Sequence, residues 1–227
     1  MVRFQNGRSN GVASAPSRAE RRAEARRLDI LRAASRVFRE RGFAGAGMRE
    51  IAAAADLSPA NLYHYFGGKH EILYFCQDRS LDRMLGAVGG ARRSEERLVD
   101  RLRGVIEAHA LCLLDKLEGS AAHLELESLP EKLREPILAK RDRYEREIRR
   151  LVTEGVDRGE FAPCDPKLVT RAILGAVNWS ARWFRRDGAD SPEQVASGLA
   201  DFLVRGLVFP SSPSRRRPSR SKARRRS

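Results

Sequence analysis

Apolar residues recur at helical spacing in two short runs between residues 48 and 66, with a polar break between them. The first run places four apolar residues on one face, at positions i, i+3, i+4 and i+7: Met48, Ile51, Ala52 and Ala55. In the second run, Leu62 and Phe66 share a face at i and i+4. The pattern predicts two short helices that bury their apolar faces in a common core.

The break between the two runs has the residues of a tight turn followed by a helix start. Asp56 tolerates the left-handed backbone that such a turn demands, and Ser58 can accept the free N–H groups of the next helix. Pro59 follows at the first helical position, where its missing N–H group is not needed. Gly67 is predicted to end this helix, and Lys69 to open the following one. There the lysine charge and the free N–H groups of the helix start favour the binding of a phosphate. Together these signals predict a helix-turn-helix.

The second helix leaves polar and aromatic residues on its outer face. Asn61 can bond two positions of an adenine edge, Ala60 can touch a thymine methyl group, and tyrosine hydroxyls can reach phosphates or base edges. Helix-turn-helix motifs insert this end of the second helix into the major groove. We therefore interpret the motif as DNA-binding. The alternative is a helical hairpin that packs in an ordinary all-helical core.

Three short motifs within residues 28–75 point to a known family. They are Arg41-Gly42-Phe43, Glu50-Ile51-Ala52, and Leu62-Tyr63-His64-Tyr65-Phe66 followed by Lys69. With these motifs the segment resembles the N-terminal domain of the TetR (TetR/AcrR) family of bacterial transcriptional regulators. The resemblance implies a homodimer in the bacterial cytoplasm, at the nucleoid, with no cofactor. Such a dimer binds a palindromic operator, usually represses, and releases DNA when a small molecule enters the C-terminal domain.

The resemblance also implies which residues contact DNA. They lie in helix two, along the recognition helix and at the start of the helix after it: Arg49, Ser58, Pro59, Ala60, Asn61, Tyr63, His64, Tyr65 and Lys69. Two positions depart from the family's pattern. Ala46-Gly47 stands where members most often have Thr-Ser, so a hydroxyl that helps to hold a phosphate is absent. Gly47 can still cap helix two, less well than Ser. Asp56 stands where Gly is usual.

Beyond Leu81 the chain continues as amphipathic segments without the alternation of strands. After an expected break near residues 86–93, five helices are predicted: 95–117, 121–128, 131–156, 166–185 and 192–208. Asp165-Pro166 and Ser191-Pro192 each pair a capping residue with a helical proline. The predicted fold class is all-α. A three-helix helix-turn-helix DNA-binding domain (21–75) precedes a helical ligand-binding and dimerisation domain (76–210).

The net charge of +14 is concentrated at the two ends of the chain. Residues 211–227 carry eight Arg or Lys residues and no acid, and residues 1–27 carry seven Arg and two Glu. The tail in particular cannot bury enough apolar surface to fold, so we expect a disordered basic arm at 1–20 and a disordered Arg-rich tail at 211–227. These arms support an alternative function, that of a non-specific DNA-binding or architectural protein held by phosphate contacts.

The last two predicted helices carry more large apolar surface than two terminal helices need. In the family that the chain resembles, these helices form a four-helix bundle with the partner subunit. The residues predicted for this interface are Ile173, Val177, Trp183, Leu199, Phe202 and Leu203. The alternative is that they form an intrachain core.

By the same resemblance, an effector site is expected among helices 95–117, 121–128 and 131–156. The residues named for it are His109, Cys112, His123, Tyr144 and Trp179. His109 and Cys112 share a helix face, but no set of three or four ligands with fixed spacing indicates a metal. The stretch 159–193 is similar to members that respond to acyl-CoA thioesters. The expected effector is therefore a small apolar molecule, with acyl-CoA as one candidate class.

The sequence gives little support to other classes of protein. It has no Gly-x-Ser-x-Gly nucleophile, no phosphate-binding loop, and no Cys or Ser in a recognisable arrangement with His and an acid. No window approaches the roughly 18 apolar residues of a membrane span. The three cysteines are scattered, which suits a reducing cytoplasm. We expect neither an enzyme with catalytic residues nor a membrane protein.

Overall fold

The computed structural model describes residues 17–114, 125–185 and 187–208, and these residues fold into eight α-helices. The helices are α1 (Arg18–Gly45), α2 (Met48–Ala54), α3 (Pro59–Tyr63), α4 (Lys69–Arg93), α5 (Leu98–Leu114), α6 (Glu131–Asp157), α7 (Pro166–Trp183) and α8 (Pro192–Arg205). A 3₁₀ turn at Leu126–Ser128 precedes α6. The described residues contain no strand, which confirms the all-α prediction. Among the described helices, none has the apolar run that a membrane crossing needs.

Helices α1 to α3 form the N-terminal unit and pack with the start of α4. α1 begins with a capping box, in which Ser17 Oγ accepts from the backbone N–H of Glu20 and the Glu20 carboxylate accepts from the backbone N–H of Ser17. The helix therefore starts inside the predicted basic arm, 1–20; the rest of that arm and the predicted tail lie outside the described residues. Ile51 and Leu62 are fully buried in one core with the inner face of α1, as the two apolar runs predicted.

The turn between α2 and α3 is supported by two arginines of α1. Asp56 has a φ of 53°, the left-handed conformation expected at this position. Arg26 Nη2 lies 3.3 Å from Ala55 O and 3.4 Å from Asp56 O. Arg36 Nη2 lies 2.9 Å from Ala54 O. These cations satisfy carbonyl groups that the end of α2 leaves without helical partners.

α5 is the central helix of the C-terminal unit. It packs against α4, α6, α7 and α8, and Leu102 and Ile106 on it are fully buried. The guanidinium of Arg103 ties it to α8, because it donates to Asp201 Oδ1 at 2.6 Å and to Ser197 Oγ at 2.8 Å. α8 is thereby fixed to the core along one side, and its other side faces outward.

α4 is shared by the two units. It runs for 25 residues without interruption, so the break predicted near residues 86–93 was wrong, and the predicted domain boundary at residue 75 falls inside one helix. Val88 is fully buried in the C-terminal core, and this packing outweighs the low helix propensity of the glycines around it. On the outer side, Lys140 Nζ of α6 lies 2.6 Å from Asp78 Oδ1 and 2.7 Å from Asp82 Oδ1.

The ends of the other helices differ from the predicted ends by a few residues. α7 ends at Trp183 instead of residue 185 because Phe184 adopts an extended backbone. α8 ends at Arg205 instead of residue 208. Residues 115–124, which include the first half of the predicted helix 121–128, lie outside the described residues, and its described half contains the 3₁₀ turn Leu126–Ser128 instead of an α-helix.

The starts of α7 and α8 confirm the capping predictions. The Asp165 carboxylate accepts from the backbone N–H groups of Lys167 and Leu168 at the start of α7. Ser191 forms a capping box with Gln194 at the start of α8. The first residue of each of these two helices is therefore fixed by local hydrogen bonds that the sequence predicts directly.

Candidate DNA-binding surface and ligand cavity

α3 is a helix of five residues that is anchored from one side. Ser58 Oγ accepts a hydrogen bond from the backbone N–H of Asn61 at 3.2 Å, and Pro59 occupies the first turn, both as predicted. Leu62 has no exposed surface, and Phe66 just beyond the helix is 5% exposed. Because these two side chains fix α3 against the core, its remaining residues are presented to solvent.

Most residues predicted to contact DNA are exposed in or beside α3. The exposed ones are Ser58, Pro59, Ala60, Asn61, Tyr63 and His64, and Arg49 is exposed on α2. The Tyr63 side chain is 53% exposed, so packing within the chain does not explain why an aromatic residue stands at this position. α3 ends at Tyr63, earlier than expected, so His64 and Tyr65 lie at its end. Tyr65 is half-buried against the core.

Lys69 lies in a different environment from the one predicted. Its ammonium nitrogen Nζ is 2.9 Å from Phe43 O, 3.1 Å from Ala44 O and 3.1 Å from Ala46 O. The same nitrogen is 4.8 Å from the centroid of the Phe43 ring. An ammonium group has three N–H bonds, and each has a backbone acceptor here. Lys69 therefore bonds the α1–α2 junction, residues 43–47, within the chain.

The α1–α2 junction has little capping of its own where α2 begins. Gly47 is the N-cap of α2 and makes no side-chain hydrogen bond, which agrees with the missing Thr-Ser noted in the sequence. The carboxylate of Glu50 folds back over Gly47 and occupies the place of a Cβ atom. Just before the junction, Gly42 has a φ of 69° and interrupts the helical path of α1.

A cavity of about 360 Å³ lies in the C-terminal unit between α4, α5, α6 and α7. Much of its wall is aliphatic: Leu81, Met84, Leu113, Leu126, Leu174 and Ala181. A mostly apolar wall with a few converging polar groups is typical of small-molecule sites. Two of these side chains, Leu81 and Met84, belong to α4, so the helix that begins beside the DNA-binding unit also forms part of this cavity.

Five polar side chains line the same cavity: His109, Glu127, Arg141, Tyr144 and Asn178. The rings of His109 and Tyr144 meet edge to face, with 5.3 Å between their centroids. Burial lowers the pKa of His109 to about 4, against a smaller opposing effect of its hydrogen bond with Asn178. Burial also lowers the pKa of Arg141 and raises the pKa of Tyr144. At neutral pH the cavity therefore presents a neutral imidazole and a neutral phenol.

Of the five residues predicted for the effector site, His109 and Tyr144 line the cavity. Cys112 is buried outside the cavity wall, where its Sγ lies 3.8 Å from Ser80 O. Trp179 lies on the outer side of α7 with 62% of its surface exposed. The prediction that it lines the cavity was wrong. A helix turns about 100° per residue, and the neighbouring Asn178 is the one that faces inward. His123 lies outside the described residues.

Glu127, Arg141 and Asn178 line the cavity without having been predicted. Arg141 precedes Tyr144 by three positions, but α6 carries so many solvent-facing arginines that charge alone does not single it out. Asn178 lies four residues after Leu174 and three before Ala181, and all three line the cavity. This helical spacing could have identified Asn178 as a cavity residue from the sequence.

The outer side of α7 and α8 exposes large apolar side chains. Leu168 is 66% exposed, Trp183 47% and Phe202 74%, in addition to Trp179. An open groove of about 460 Å³ between the two helices is lined by Ala172 of α7 and by Phe202 of α8. Large exposed apolar surface is typical of interaction sites.

Four of the six residues predicted for the subunit interface are exposed or half-exposed: Trp183, Leu199, Phe202 and Leu203. Ile173 is 3% exposed and lines the groove between α7 and α8, whereas Val177 has no exposed surface, so the prediction was wrong for Val177. They share the inner face of α7 with Thr170 and Ser180, which are also buried. The helix has two apolar faces, and the sequence alone did not separate the inner one from the outer one.

Two families match the two units described above. Residues 30–74 match the family described as bacterial regulatory proteins, tetR family. Residues 95–207 match the tetracyclin repressor-like C-terminal domain. The first match covers the helix-turn-helix, and the second covers the helices that surround the cavity together with α4.

The chain is similar over most of its length to proteins that include the following three. PfmR of Thermus thermophilus, a TetR family transcriptional regulator, is 35% identical with a TM-score of 0.72, over 79% of this chain and 99% of that one. AibR, solved with isovaleryl coenzyme A and operator DNA, is 27% identical with a TM-score of 0.66, over 80% and 99%. The transcriptional repressor KstR2 of Mycobacterium tuberculosis (strain CDC 1551) is 26% identical over 190 residues, 81% of this chain and 93% of that protein.

We predict that His109 makes the stability of the protein fall between pH 6.5 and pH 4. The pKa of His109 is about 4 in the folded state against an ordinary value of 6.5, so in this range the unfolded chain binds a proton that the folded protein does not. The free energy of unfolding should decrease as the pH falls, by roughly 3 kcal/mol at most, and this contribution should level off below pH 4. Urea unfolding at a series of pH values measures it.

The variant His109→Gln should lose this part of the pH dependence, because it has no titrating group in the cavity. The matched variant His64→Gln removes an exposed histidine and should keep the pH dependence of the wild type. Identical profiles for the wild type and His109→Gln would contradict the assignment of a buried, neutral His109.

Proposed function

We propose that this chain, which belongs to the TetR family of bacterial transcriptional regulators, is a repressor that binds operator DNA and is released by a small molecule. The observation that carries the proposal is the exposed polar and aromatic surface of α3, anchored by buried Leu62 and Phe66. The cavity between α4 and α7 supplies a place for the effector. This function implies that the protein acts at the bacterial nucleoid.

In the proposed complex α3 enters the major groove with its N-terminal end first. Asn61 reads a base edge, Ala60 approaches the bases closely, and Tyr63 and His64 contact phosphates or base edges. Arg49 on α2 contacts the phosphate backbone. The other predicted contacts, Ser58, Pro59 and Tyr65, flank this set at the two ends of α3. Lys69, the last residue predicted to contact DNA, bonds the backbone of the α1–α2 junction.

The proposed repressor is a homodimer formed through α7 and α8. Leu168, Trp183 and Phe202 expose large apolar surface in the single chain, and pairing with a second copy would remove this surface from water. A twofold axis through this face brings two copies of both helices into a four-helix bundle. Such a dimer places its two α3 helices in successive major grooves, roughly 34 Å apart, which suits a palindromic operator.

The proposed effector is a small, mostly apolar molecule that occupies the cavity. A volume of about 360 Å³ is near the lower limit of ligand sites, roughly 300 Å³, so it suits an acyl group better than a whole coenzyme. AibR, a protein with the same fold, was solved with isovaleryl coenzyme A and operator DNA. Acyl-CoA thioesters with the acyl group in the cavity are therefore the first class of effector to test.

A second candidate function is non-specific DNA binding through the basic arms, supported by the net charge of +14. The two functions differ in what they require of α3. The affinity of a non-specific DNA-binding protein does not depend on a base contact by Asn61, whereas the sequence preference of an operator-binding protein does. Comparing binding to two DNA molecules of equal length and charge separates the two.

We predict that Asn61→Ala in the full chain lowers the preference for operator over unrelated DNA by about 5- to 150-fold, because one base contact contributes roughly 1–3 kcal/mol to discrimination. Fluorescence anisotropy with DNA from upstream of the protein's own gene, and with a shuffled sequence of the same length, measures this at two salt concentrations. Glu135→Ala, an exposed position on α6, should leave the preference unchanged.

A wild-type protein that binds both DNA molecules equally, at either salt concentration, would favour the non-specific function. If Asn61→Ala lowered the affinity for both molecules to the same extent, Asn61 would be a positioning contact and base reading would belong to other residues of α3.

We also predict that Phe202→Asp converts the dimer to monomers, because it places a charge in the centre of the proposed apolar interface. Sedimentation velocity at micromolar concentration measures the mass. Leu138→Asp places the same charge at an exposed leucine on α6 and should leave the mass of a dimer. A dimer for Phe202→Asp, or a monomer for the wild type, would argue against this interface.

A further inference from the structure

We propose that His109 and Tyr144 form a hydrogen-bonding floor of the cavity, which selects effectors that carry a neutral oxygen, a carbonyl or a hydroxyl group, at their inner end. This inference rests on the proposed function, in which a small molecule occupies this cavity. It narrows the effector class from apolar acyl groups in general to acyl groups with an oxygen remote from the thioester. A plain hydrocarbon chain of the same length binds less tightly.

The polar side chains of the cavity divide into a buried floor and an open rim. His109 of α5 and Tyr144 of α6 line the cavity and are each only 4% exposed, so they lie at its closed end. Asn178 of α7 and Glu127 of the 3₁₀ turn also line the cavity but are exposed. A ligand that enters from the rim therefore reaches His109 and Tyr144 with its leading end.

The hydroxyl group of Tyr144 is the first support. It bonds no other group of the described residues, and its oxygen is not among the side-chain oxygens that protein atoms enclose completely. Because Tyr144 lines the cavity, this hydroxyl is open to the cavity space. A phenylalanine would fill the same part of the core without a polar group, so packing alone does not explain the tyrosine. Its hydroxyl is placed to bond an atom of a ligand.

His109 supplies the second hydrogen-bonding group of the floor. Its ring centroid lies 5.3 Å from that of Tyr144, and its hydrogen bond with Asn178 uses one of its two ring nitrogens. Burial lowers the pKa of His109 to about 4 and raises the pKa of Tyr144. At neutral pH the floor therefore consists of two adjacent, uncharged hydrogen-bonding groups.

A ligand that fills the cavity displaces water from these two groups. A hydrocarbon end cannot replace the hydrogen bonds of that water, and such a ligand loses affinity. A carbonyl or hydroxyl oxygen can accept from the Tyr144 O–H and so restores the bond. Sites built around a hydrogen bond of this kind reject analogues that lack the partner atom. The aliphatic side chains around the floor accommodate the chain that leads to this oxygen.

The charges around the cavity favour a neutral oxygen over a carboxylate. A carboxylate at the floor would lose its hydration against two uncharged groups, which is far more unfavourable than the same loss for a ketone. The charged side chains belong to the outer part of the cavity, because Arg141 is half-buried and Glu127 is exposed. Glu127 also pairs with Arg134 at 3.0 Å. These charges therefore lie nearer to the end of the ligand that leaves the cavity.

Calorimetric titration of the full chain with three matched CoA thioesters tests the proposal. Pentanoyl-CoA has a plain chain, 4-oxopentanoyl-CoA adds a ketone oxygen to it, and succinyl-CoA has a carboxylate oxygen in place of the terminal methyl group of that ketone. We expect 4-oxopentanoyl-CoA to bind about 5- to 150-fold more tightly than either of the others, the effect of leaving a buried hydrogen-bonding group without a partner. Equal affinities for pentanoyl-CoA and 4-oxopentanoyl-CoA, or tightest binding of succinyl-CoA, would overturn the proposal.

Tyr144→Phe removes the hydroxyl group and keeps the ring. It should lower the affinity for 4-oxopentanoyl-CoA about tenfold, without lowering the affinity for pentanoyl-CoA or the urea midpoint of unfolding. Tyr74→Phe is the matched control, because the Tyr74 hydroxyl bonds Asp78 outside the cavity, and it should bind all three thioesters as the wild type does. A ketone preference retained in Tyr144→Phe, or an equal loss of affinity for all three thioesters, would contradict the role of this hydroxyl.

The ketone 2-pentanone, which carries no coenzyme, separates this proposal from the choice of acyl-CoA as the effector class. If none of the thioesters binds, that effector class is wrong, and the floor is then tested by the thermal unfolding midpoint in the presence of 2-pentanone. A ligand that binds only the folded protein raises this midpoint. A rise in the wild type that is absent in Tyr144→Phe supports the hydrogen-bonding floor, whereas an equal rise in both proteins, or none in either, overturns it.

Discussion

The structure depends on a single helix that must satisfy two packing requirements at once. α4 runs for 25 residues, roughly 37 Å, from the α1–α2 junction into the C-terminal core. Its first residue, Lys69, bonds three carbonyl groups of that junction, and Leu81 and Met84 further along form part of the cavity wall. Because no break separates these contacts, the position of the recognition helix α3 and the shape of the cavity are set by the same element.

Cations that bond backbone carbonyls hold the DNA-binding unit together. Arg26 and Arg36 of α1 bond the end of α2, and Lys69 of α4 bonds the end of α1. Each of these helix ends would otherwise expose unsatisfied carbonyl groups. Several basic residues near the proposed DNA surface therefore serve the fold, and in the proposed function the short exposed face around Asn61 and Tyr63 discriminates between DNA sequences.

Local signals predicted much of this fold, and contacts distant in sequence account for what was missed. The two apolar runs, the left-handed Asp56 and the caps at Asp165 and Ser191 act within a few residues, so the sequence shows them directly. The direction of Lys69 depends on carbonyl groups 23 to 26 residues away, which no local pattern encodes. Trp179 was predicted to line the cavity, but Asn178 lines it instead, because α7 is apolar on two sides and one residue of rotation decides which side faces the cavity.

The central claim, that the cavity and the DNA surface are coupled through α4, is tested most directly by filling the cavity without a ligand. Ala181→Phe places a ring in the cavity from α7, and Ala139→Phe places the same ring at an exposed position of α6. We expect Ala181→Phe to unfold at the urea concentration of the wild type and to bind operator DNA about 5- to 150-fold more weakly, a coupling of about 1–3 kcal/mol. Ala139→Phe should bind as the wild type does. Equal operator affinity in a correctly folded Ala181→Phe protein would contradict the coupling.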